Sequence, residues 1–217
     1  MLPFTKYADR RQAGAVLADH LSHYANRPDV IVLALPRGGV PVAVEVAQTL
    51  RVPLDVFIVR KLGVPGHEEL ALGAIASGGV RVLNPSVVET LNIPEDVIDA
   101  VAGQELAELH RREQLYREDR PPLELRGRTV ILIDDGLATG ATMRAAVAAV
   151  RQLHVARIVV AVPVASVETF MDFKLEVDEI ICPLQPAEFH AVGQWYASFA
   201  QTTDDEVRQL LAEAGSS

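Results

Sequence analysis

The stretch Val130–Thr142 reads Val-Ile-Leu-Ile-Asp-Asp-Gly-Leu-Ala-Thr-Gly-Ala-Thr. Its first four residues form a short apolar run that predicts a buried strand, and Thr139–His154 shows a helical pattern. Two carboxylates and a loop of small residues separate the strand from the helix. A strand that is apolar throughout indicates burial on both faces, so this unit favours a parallel sheet covered by helices.

The same alternation of apolar runs and helical patterns continues on both sides of this stretch. Strands are predicted at Val30–Leu35, Leu54–Val59, Thr129–Ile133, Ile158–Ala165 and Glu179–Cys182, and two shorter runs around Ser77-Gly78-Gly79 predict a hairpin. Helices are predicted after an Asp9 cap, at Val40–Leu50, at Ser166–Leu175 and after a capping box at Thr203. We therefore predict an α/β fold, a mostly parallel twisted sheet with flanking helices.

The helical pattern between the two halves of the predicted sheet differs from the rest. Pro85 and Pro94 begin two helices there, the second of them long and charged, and Pro121-Pro122 ends it. We expect a single domain over residues 1–217, with a core at about 28–83 and 123–183, a helical insertion at about 84–122 and a small C-terminal hood or tail at about 184–217.

Composition limits the classes of function. The hydrophobic content of 49% is that of a globular protein, and the net charge of −9 argues against a nucleic-acid partner. The apolar runs are too short to span a membrane, and the N-terminus lacks the apolar region of a signal peptide. With one cysteine, Cys182, the chain fits a reducing compartment, so we expect a cytoplasmic protein. The basic pair Arg10-Arg11 is interpreted as part of a solvated helix face.

The loop after the strand has the groups that a phosphorylated sugar needs. Ligands of open α/β sheets bind at the carboxyl ends of strands, where this loop falls. Its backbone N–H groups, the Thr139 and Thr142 hydroxyls and the following helix N-terminus suit a phosphate. The carboxylates of Asp134 and Asp135 would repel a phosphate, unless ribose hydroxyls donate to them or Mg²⁺ offsets their charge.

This stretch resembles the phosphoribosyl pyrophosphate (PRPP) motif of the type I phosphoribosyltransferases, a family with a Rossmann-like core. The resemblance implies that Asp134 and Asp135 hold the ribose hydroxyls as catalytic residues. It assigns the 5′-phosphate to Gly136, Leu137, Ala138, Thr139, Gly140, Ala141 and Thr142. The sequence departs from the family pattern at Gly136, where a branched apolar residue is usual.

Pro36-Arg37-Gly38-Gly39 follows the first predicted strand, where this family places its pyrophosphate loop. Glycines let the backbone approach a ligand, and Arg37 would supply charge, so we assign pyrophosphate binding to Arg37, Gly38 and Gly39. Family members often have a non-proline cis peptide in this loop. The corresponding bond here is Pro36–Arg37.

Arg60 and Lys61 are further catalytic candidates. They precede a Leu-Gly-Val-Pro-Gly sequence that is similar to the region of adenine-type members whose basic pair contacts pyrophosphate. The segment Leu62–Glu69 would then be a mobile cover that excludes water. The alternative, exposed basic residues at the end of a strand, stays open.

The resemblance implies transfer of the 5-phosphoribosyl group from PRPP to a nucleobase or similar nitrogen acceptor. Mg²⁺ is the implied cofactor, held mainly through the ligand, with Asp134 and Asp135 as candidate contacts. Hypoxanthine-type members have an Asp where this chain has Ala138, whereas adenine-type and orotate-type members have Ala there. The orotate type also needs a Lys-rich mobile loop, and here only Lys61 is available, so an adenine-like acceptor is favoured. Phe189 and Trp195 are candidates for stacking the base, although such aromatics also pin a chain end to the core. A homodimer is a candidate assembly, and a non-catalytic PRPP or nucleotide sensor is the alternative function.

Overall fold

The computed structural model describes residues 6–117 and 120–215. Outside this range lie the first five residues, where no signal peptide is expected. Residues 118–119 of the predicted insertion also lie outside it. The strands are β1 Val30–Ala34, β2 Leu54–Val56, β3 Val59–Val64, β4 His67–Ala76, β5 Val80–Leu83, β6 Thr129–Ile133, β7 Arg157–Ala161 and β8 Glu179–Ile181. The α-helices are α1 Arg10–His20, α2 Gly39–Leu50, α3 Pro85–Thr90, α4 Glu95–Arg117, α5 Ala141–Gln152, α6 Val167–Glu176 and α7 Asp204–Gly215.

Five strands form one parallel sheet in the order β2-β1-β6-β7-β8, with β1 and β6 side by side. Alternate residues of β1 pack into different halves of the core, because successive side chains of a strand point to opposite faces. Val32 belongs to the cluster formed with α1, α2 and α7, whereas Leu33 belongs to the cluster formed with α5. The predicted α/β fold, with helices on both faces of a mostly parallel sheet, is confirmed.

The segment that was predicted as one strand over Leu54–Val59 is divided between two sheets. Phe57 makes the last backbone hydrogen bond to β1, and the next residue, Ile58, bonds instead to Ser77, its N–H donating to Oγ at 3.0 Å. From there the chain enters a second, antiparallel sheet with the order β3-β4-β5. The predicted hairpin at Gly78-Gly79 is confirmed as the turn between β4 and β5.

The predicted cover Leu62–Glu69 is also regular structure. It consists of the end of β3, a turn at Pro65-Gly66 and the start of β4, with Val64 opposite His67. The segment is therefore a β-hairpin rather than a loop, and its role as a mobile cover stays a prediction. Backbone pairing along β3 and β4 fixes the positions of Arg60 and Lys61, which point to opposite sides of β3.

The two helices predicted in the insertion are present as α3 and α4. Buried residues of α4, from Ile98 to Tyr116, pack in the same cluster as α2 and α7. At its end Arg117 forms an ion pair with Asp55 of β2, NH2 to Oδ2 at 3.1 Å, and these side chains are 12% and 11% exposed. The insertion therefore covers the core beside edge strand β2 rather than standing free in solvent.

The segment 184–202 returns over the carboxyl ends of the strands before α7 begins. Tyr196 pairs with Tyr7 near the N-terminus, and the Tyr7 hydroxyl donates to the carbonyl of Pro163 at 2.8 Å. The capping box is confirmed, since the Thr203 N–H donates to Glu206 Oε2 at 2.7 Å and the Glu206 N–H donates to Thr203 Oγ1. Within the described residues, no helix combines the length and apolar character needed to cross a bilayer.

Candidate active site

Strand β6 ends at two adjacent carboxyl groups, and the pKa of each is raised. Asp134 and Asp135 follow Ile133 directly, and the Asp135 N–H donates to Asp134 Oδ1 at 2.8 Å. Burial raises the pKa of Asp134 well above its usual range, and the neighbouring Asp135 charge adds to the shift. Burial also raises the pKa of Asp135, against an opposing effect of Arg10. Holding both carboxylates ionised costs free energy, which donors from a ligand or a cation would lower.

Hydrogen bonds to neighbouring residues hold the loop from Gly136 to Thr142. The Leu137 N–H donates to the carbonyl of Val164 at 2.9 Å. Thr169 Oγ1 donates to the carbonyl of Ala138, and Arg144 NH1 donates to that of Thr139, both at 2.7 Å. The carbonyls of Ala138 and Thr139 are therefore bound by side-chain donors of the protein.

The N–H groups of this loop are not used in the same way. Gly140, the N-cap residue of α5, has φ +73°, a left-handed conformation that glycine adopts without strain. Within residues 6–117 and 120–215, none of the five N–H groups of 138–142 donates to a protein acceptor. They border a cavity of ≈ 180 Å³ that Asp134 also lines. A cavity surrounded by free N–H groups at a helix N-terminus suits a phosphate.

The predicted pyrophosphate loop lies against the acidic pair. The Pro36–Arg37 peptide bond is cis, as predicted. A Cβ at Gly38 would lie 2.2 Å from Asp135 Oδ2, and a Cβ at Gly39 would lie 2.6 Å from the carbonyl oxygen of Ile133. Only glycine fits this approach of two loops. Arg37 lies at the other side of the loop, with NH1 3.7 Å from Asp204 Oδ1 of α7.

The two basic candidates of β3 have different partners, although both line a cavity of ≈ 470 Å³ beside the hairpin turn. The Arg60 guanidinium binds Glu105 of α4, with Nε and Nη2 both 2.7 Å from Oε2, so this charge is already paired with a carboxylate. Lys61 lies on the other side of β3, where its Nζ donates to the carbonyl of Glu69 at 3.2 Å. It lines a cavity of ≈ 300 Å³ together with Thr142. Lys61 therefore shares a cavity with Thr142 of the β6–α5 loop, whereas the Arg60 charge is paired with Glu105 of α4.

Two residues at the acidic pair were missed in the sequence. Arg10, which was assigned to a solvated face, binds Asp135, with Nε 2.9 Å from Oδ2 and only 12% of its side chain exposed. That assignment is wrong for Arg10. The hydroxyl of Tyr196 donates to the carbonyl of Asp135 at 2.6 Å. Neither contact leaves a local signal, since the partners are 125 and 61 positions apart in sequence.

The candidate base-stacking residues lie mainly in the packing of the C-terminal segment. Phe189 and Trp195 belong to an apolar cluster with Tyr7 and Tyr196. Among the described side chains, Trp195 Nε1 is a buried donor without an acceptor. From this segment it is Val192 that lines the phosphate cavity.

Val192 also explains the departure at Gly136. A Cβ at Gly136 would lie 2.7 Å from Val192 Cγ1 and 3.0 Å from Val164 Cγ1. The space that a branched side chain would need is therefore filled by the C-terminal segment. The loop is closed by packing rather than loosened by its glycine.

A metal ion would find few protein ligands here. The described residues contain no group of three or more histidine, cysteine or acidic side chains placed to hold one. Asp134 and Asp135 provide two carboxylates at most. This number fits Mg²⁺, which commonly binds through one or two carboxylates, its own waters and the phosphates of a substrate.

Comparison with known proteins gives the same assignment over most of the chain. The family model described as phosphoribosyl transferase domain matches residues 7–172. A Mycobacterium tuberculosis (strain H37Rv) protein named "Putative phosphoribosyl transferase Rv0571c" is 47% identical over 208 residues, which are 96% of this chain and 47% of that protein. The chain thus spans about half the length of the curated relatives it matches.

Solved structures agree in fold. The crystal structure of TT1426 from Thermus thermophilus has a TM-score of 0.85 and 43% identity, covering 96% of this chain and 98% of that one. The AQ2163 protein from Aquifex aeolicus has a TM-score of 0.51 at 13% identity, covering 85% and 78%, and shows the fold alone.

Proposed function

The chain belongs to the phosphoribosyl transferase family, and on that premise we propose that it transfers the 5-phosphoribosyl group of PRPP to a nitrogen acceptor. The observation that carries this proposal is the set of free N–H groups of 138–142 at a cavity that Asp134 lines, with Asp135 next to it in the chain. An anion site and hydroxyl acceptors at one strand end match a sugar phosphate.

Each part of PRPP has a counterpart in this arrangement. The 5′-phosphate is bound by the N–H groups and hydroxyls of 138–142, and the ribose hydroxyls donate to Asp134 and Asp135. Gly38 touches Asp135, so the Pro36–Gly39 loop lies at the sugar. Pyrophosphate is bound by this loop, with Arg37 supplying charge after its 3.7 Å contact with Asp204 opens.

The reaction forms a bond from the acceptor nitrogen to C1 of the ribose as the bond from C1 to the pyrophosphate oxygen breaks. The electron pair of the broken bond leaves with pyrophosphate, and the acceptor loses a proton. The protein contributes by fixing the sugar between two loops, by placing positive charge at the leaving group and by excluding water. Mg²⁺, when bound with the substrate, supplies further charge at the phosphate oxygens, next to Asp134 and Asp135.

The experiment is a measurement of pyrophosphate release from PRPP and Mg²⁺ in the presence of single purine, pyrimidine and pyridine bases. We expect release with at least one base, adenine being the first to test because position 138 is alanine. Asp135→Asn serves as the inactive control. Tight PRPP binding without release for any base would contradict the transferase proposal.

A protein that binds PRPP or a nucleotide without transfer is the second candidate. The ion pair between Arg60 and Glu105 favours it, because one of the two expected pyrophosphate contacts is already bound to another side chain. The same assay separates the two functions. A sensor would bind PRPP and nucleoside monophosphates with Asp135 required for both, and it would release no pyrophosphate.

A further inference from the structure

Arg10 reaches the acidic pair from outside both sequence motifs. It is the first residue of α1, directly after the capping residue Asp9. Its Nε lies 2.9 Å from Oδ2 of Asp135, and the two side chains are 12% and 14% exposed. A pair sheltered to this degree is screened much less than a surface ion pair. Arg10 is therefore a fixed part of the surroundings of Asp135.

The C-terminal segment holds the guanidinium in place. Arg10 NH1 donates to the carbonyl of Ala200 at 2.7 Å. Its Cζ lies 3.9 Å from the centre of the Phe199 ring, a stacking geometry in which the planar cation is attracted to the aromatic face. The hydroxyl of Tyr196, from the same segment, donates to the backbone carbonyl of Asp135. The same segment thus contacts both members of the ion pair, Arg10 through Ala200 and Phe199 and Asp135 through Tyr196.

This arrangement uses one carboxylate oxygen of Asp135 and leaves the other. Oδ2 faces Arg10 and the Gly38 backbone, where a Cβ would lie 2.2 Å away, whereas Oδ1 would be 3.4 Å from that atom. In the part of the chain that the structure describes, no donor of another residue is bound to Oδ1. A carboxylate fixed through one oxygen presents the second in a defined direction.

We propose that Arg10 is a positioning residue, which orients Asp135 so that Oδ1 accepts a hydroxyl of the bound ribose. The inference rests on the proposed function, since it requires a ribose phosphate at this site. Arg10 does not itself touch the ribose. It acts as an outer partner that fixes the residue that does. For the outer partners of metal ligands, removal typically costs about 10- to 100-fold in affinity or activity.

Two other roles for Arg10 predict different results. If the ion pair only stabilised the fold, its loss would weaken the binding of all ligands of the site equally. If Arg10 occupied the ribose position and competed with it, its removal would strengthen binding. The orienting role alone makes the effect of Arg10 depend on the ribose hydroxyls.

The test is calorimetric binding of ribose 5-phosphate and of its 2-deoxy and 3-deoxy analogues to the full chain. The wild-type protein should prefer ribose 5-phosphate by about tenfold over the analogue that lacks the hydroxyl bound by Asp135, the usual cost of one hydrogen bond to a charged group. Arg10→Gln should weaken the binding of ribose 5-phosphate by about tenfold and nearly abolish the preference over the analogue. Arg11→Gln is the matched control, because Arg11 is exposed and faces Glu45, and it should change neither.

Two further variants protect the test against simple loss of folding. Arg10→Lys keeps the charge and should retain part of the preference. On an Asp135→Asn background, Arg10→Gln should have no additional effect on ligand discrimination, because both changes act through one carboxylate. Unchanged preference in Arg10→Gln, or tighter binding by it, would overturn the positioning role and leave the proposed function standing. Failure of the wild-type protein to bind any sugar phosphate would overturn both.

Discussion

The β6–α5 loop and the β3–β4 hairpin were both assigned to the site from sequence, yet they differ in how they serve it. The loop offers backbone N–H groups whose positions follow from the strand before it and the helix after it. The hairpin offers the long side chains of Arg60 and Lys61, and one of these is bound to Glu105 on another element. Backbone groups are fixed by local sequence, whereas a long side chain takes its partner from the tertiary structure.

This difference also separates the two halves of the proposed reaction. In the proposed function the loop carries the sugar-binding groups, and its N–H groups are not bound to other parts of the described protein. The hairpin and Arg37 would carry the leaving-group charges, and both arginines contact acidic side chains in the structure. We therefore expect changes in the loop to abolish binding, and changes in the hairpin to affect turnover alone.

Asp135→Asn should give the largest effect. Loss of a charged acceptor for ribose hydroxyls, and of the Arg10 ion pair with it, should weaken PRPP binding in calorimetry by about a hundredfold or more. Asp29→Asn is the matched control, since Asp29 lies at the other end of β6, where its carboxylate accepts from Thr129. Equal losses in both variants would indicate damage to the strand rather than loss of a contact.

Gly136→Ala tests how tightly the loop is packed. The new Cβ would lie 2.7 Å from Val192 and 3.0 Å from Val164, so the free energy of unfolding should fall by about 1–3 kcal/mol. Val192→Ala in the same chain should restore part of it. Gly103→Ala is the control, because a Cβ there meets nothing within 4 Å, and it should not destabilise. Chemical denaturation of all four proteins gives the comparison.

Replacing both Arg60 and Lys61 by alanine should lower turnover by about tenfold or more, if they contact the departing pyrophosphate. Nucleoside monophosphate binding should barely change, since that ligand has no pyrophosphate. Arg81→Ala is the control, because Arg81 lies in the same small sheet and binds Asp99 of α4 in a similar ion pair. Equal weakening of monophosphate binding would place the basic pair at the sugar-binding groups instead.

Much of the sheet and of the β6–α5 loop was predictable, because their structure depends on residues that are close together in sequence. Apolar runs marked the strands, and the Thr203 box marked α7. The split of Leu54–Val59 was not predictable, because the run is apolar on both sides of the break. The chain changes sheets at Ile58 when Ser77 offers a new partner, and this contact lies 19 positions away.

The contacts that complete the site were hidden for the same reason. Arg10 seemed to belong to a solvated face by its charged neighbours, and only folding of the C-terminal segment covers it. The departure at Gly136 was recognised in the sequence but not its cause, since Val192 lies 56 positions later. Side chains that meet across a fold leave no periodicity in a single sequence.

Asp134→Asn should change the stability of the ligand-free protein in the direction opposite to ordinary mutational damage. Burial raises the pKa of Asp134, so in the free protein its ionisation opposes folding. The folded state then holds the proton more tightly than the unfolded state, and stability falls as the pH rises from the ordinary value of 3.8 through the raised pKa.

Asparagine removes this cost and can keep the hydrogen bond from the Asp135 N–H. Without Mg²⁺ or ligand, the variant should be the more stable of the two near neutral pH, with the difference disappearing as the pH falls towards the ordinary value of 3.8. Thermal unfolding across this range measures it, and Asp55→Asn, which leaves Arg117 without its buried partner, should destabilise instead. A wild-type protein that is the more stable of the two at neutral pH would show that Asp134 serves the fold rather than the ligand.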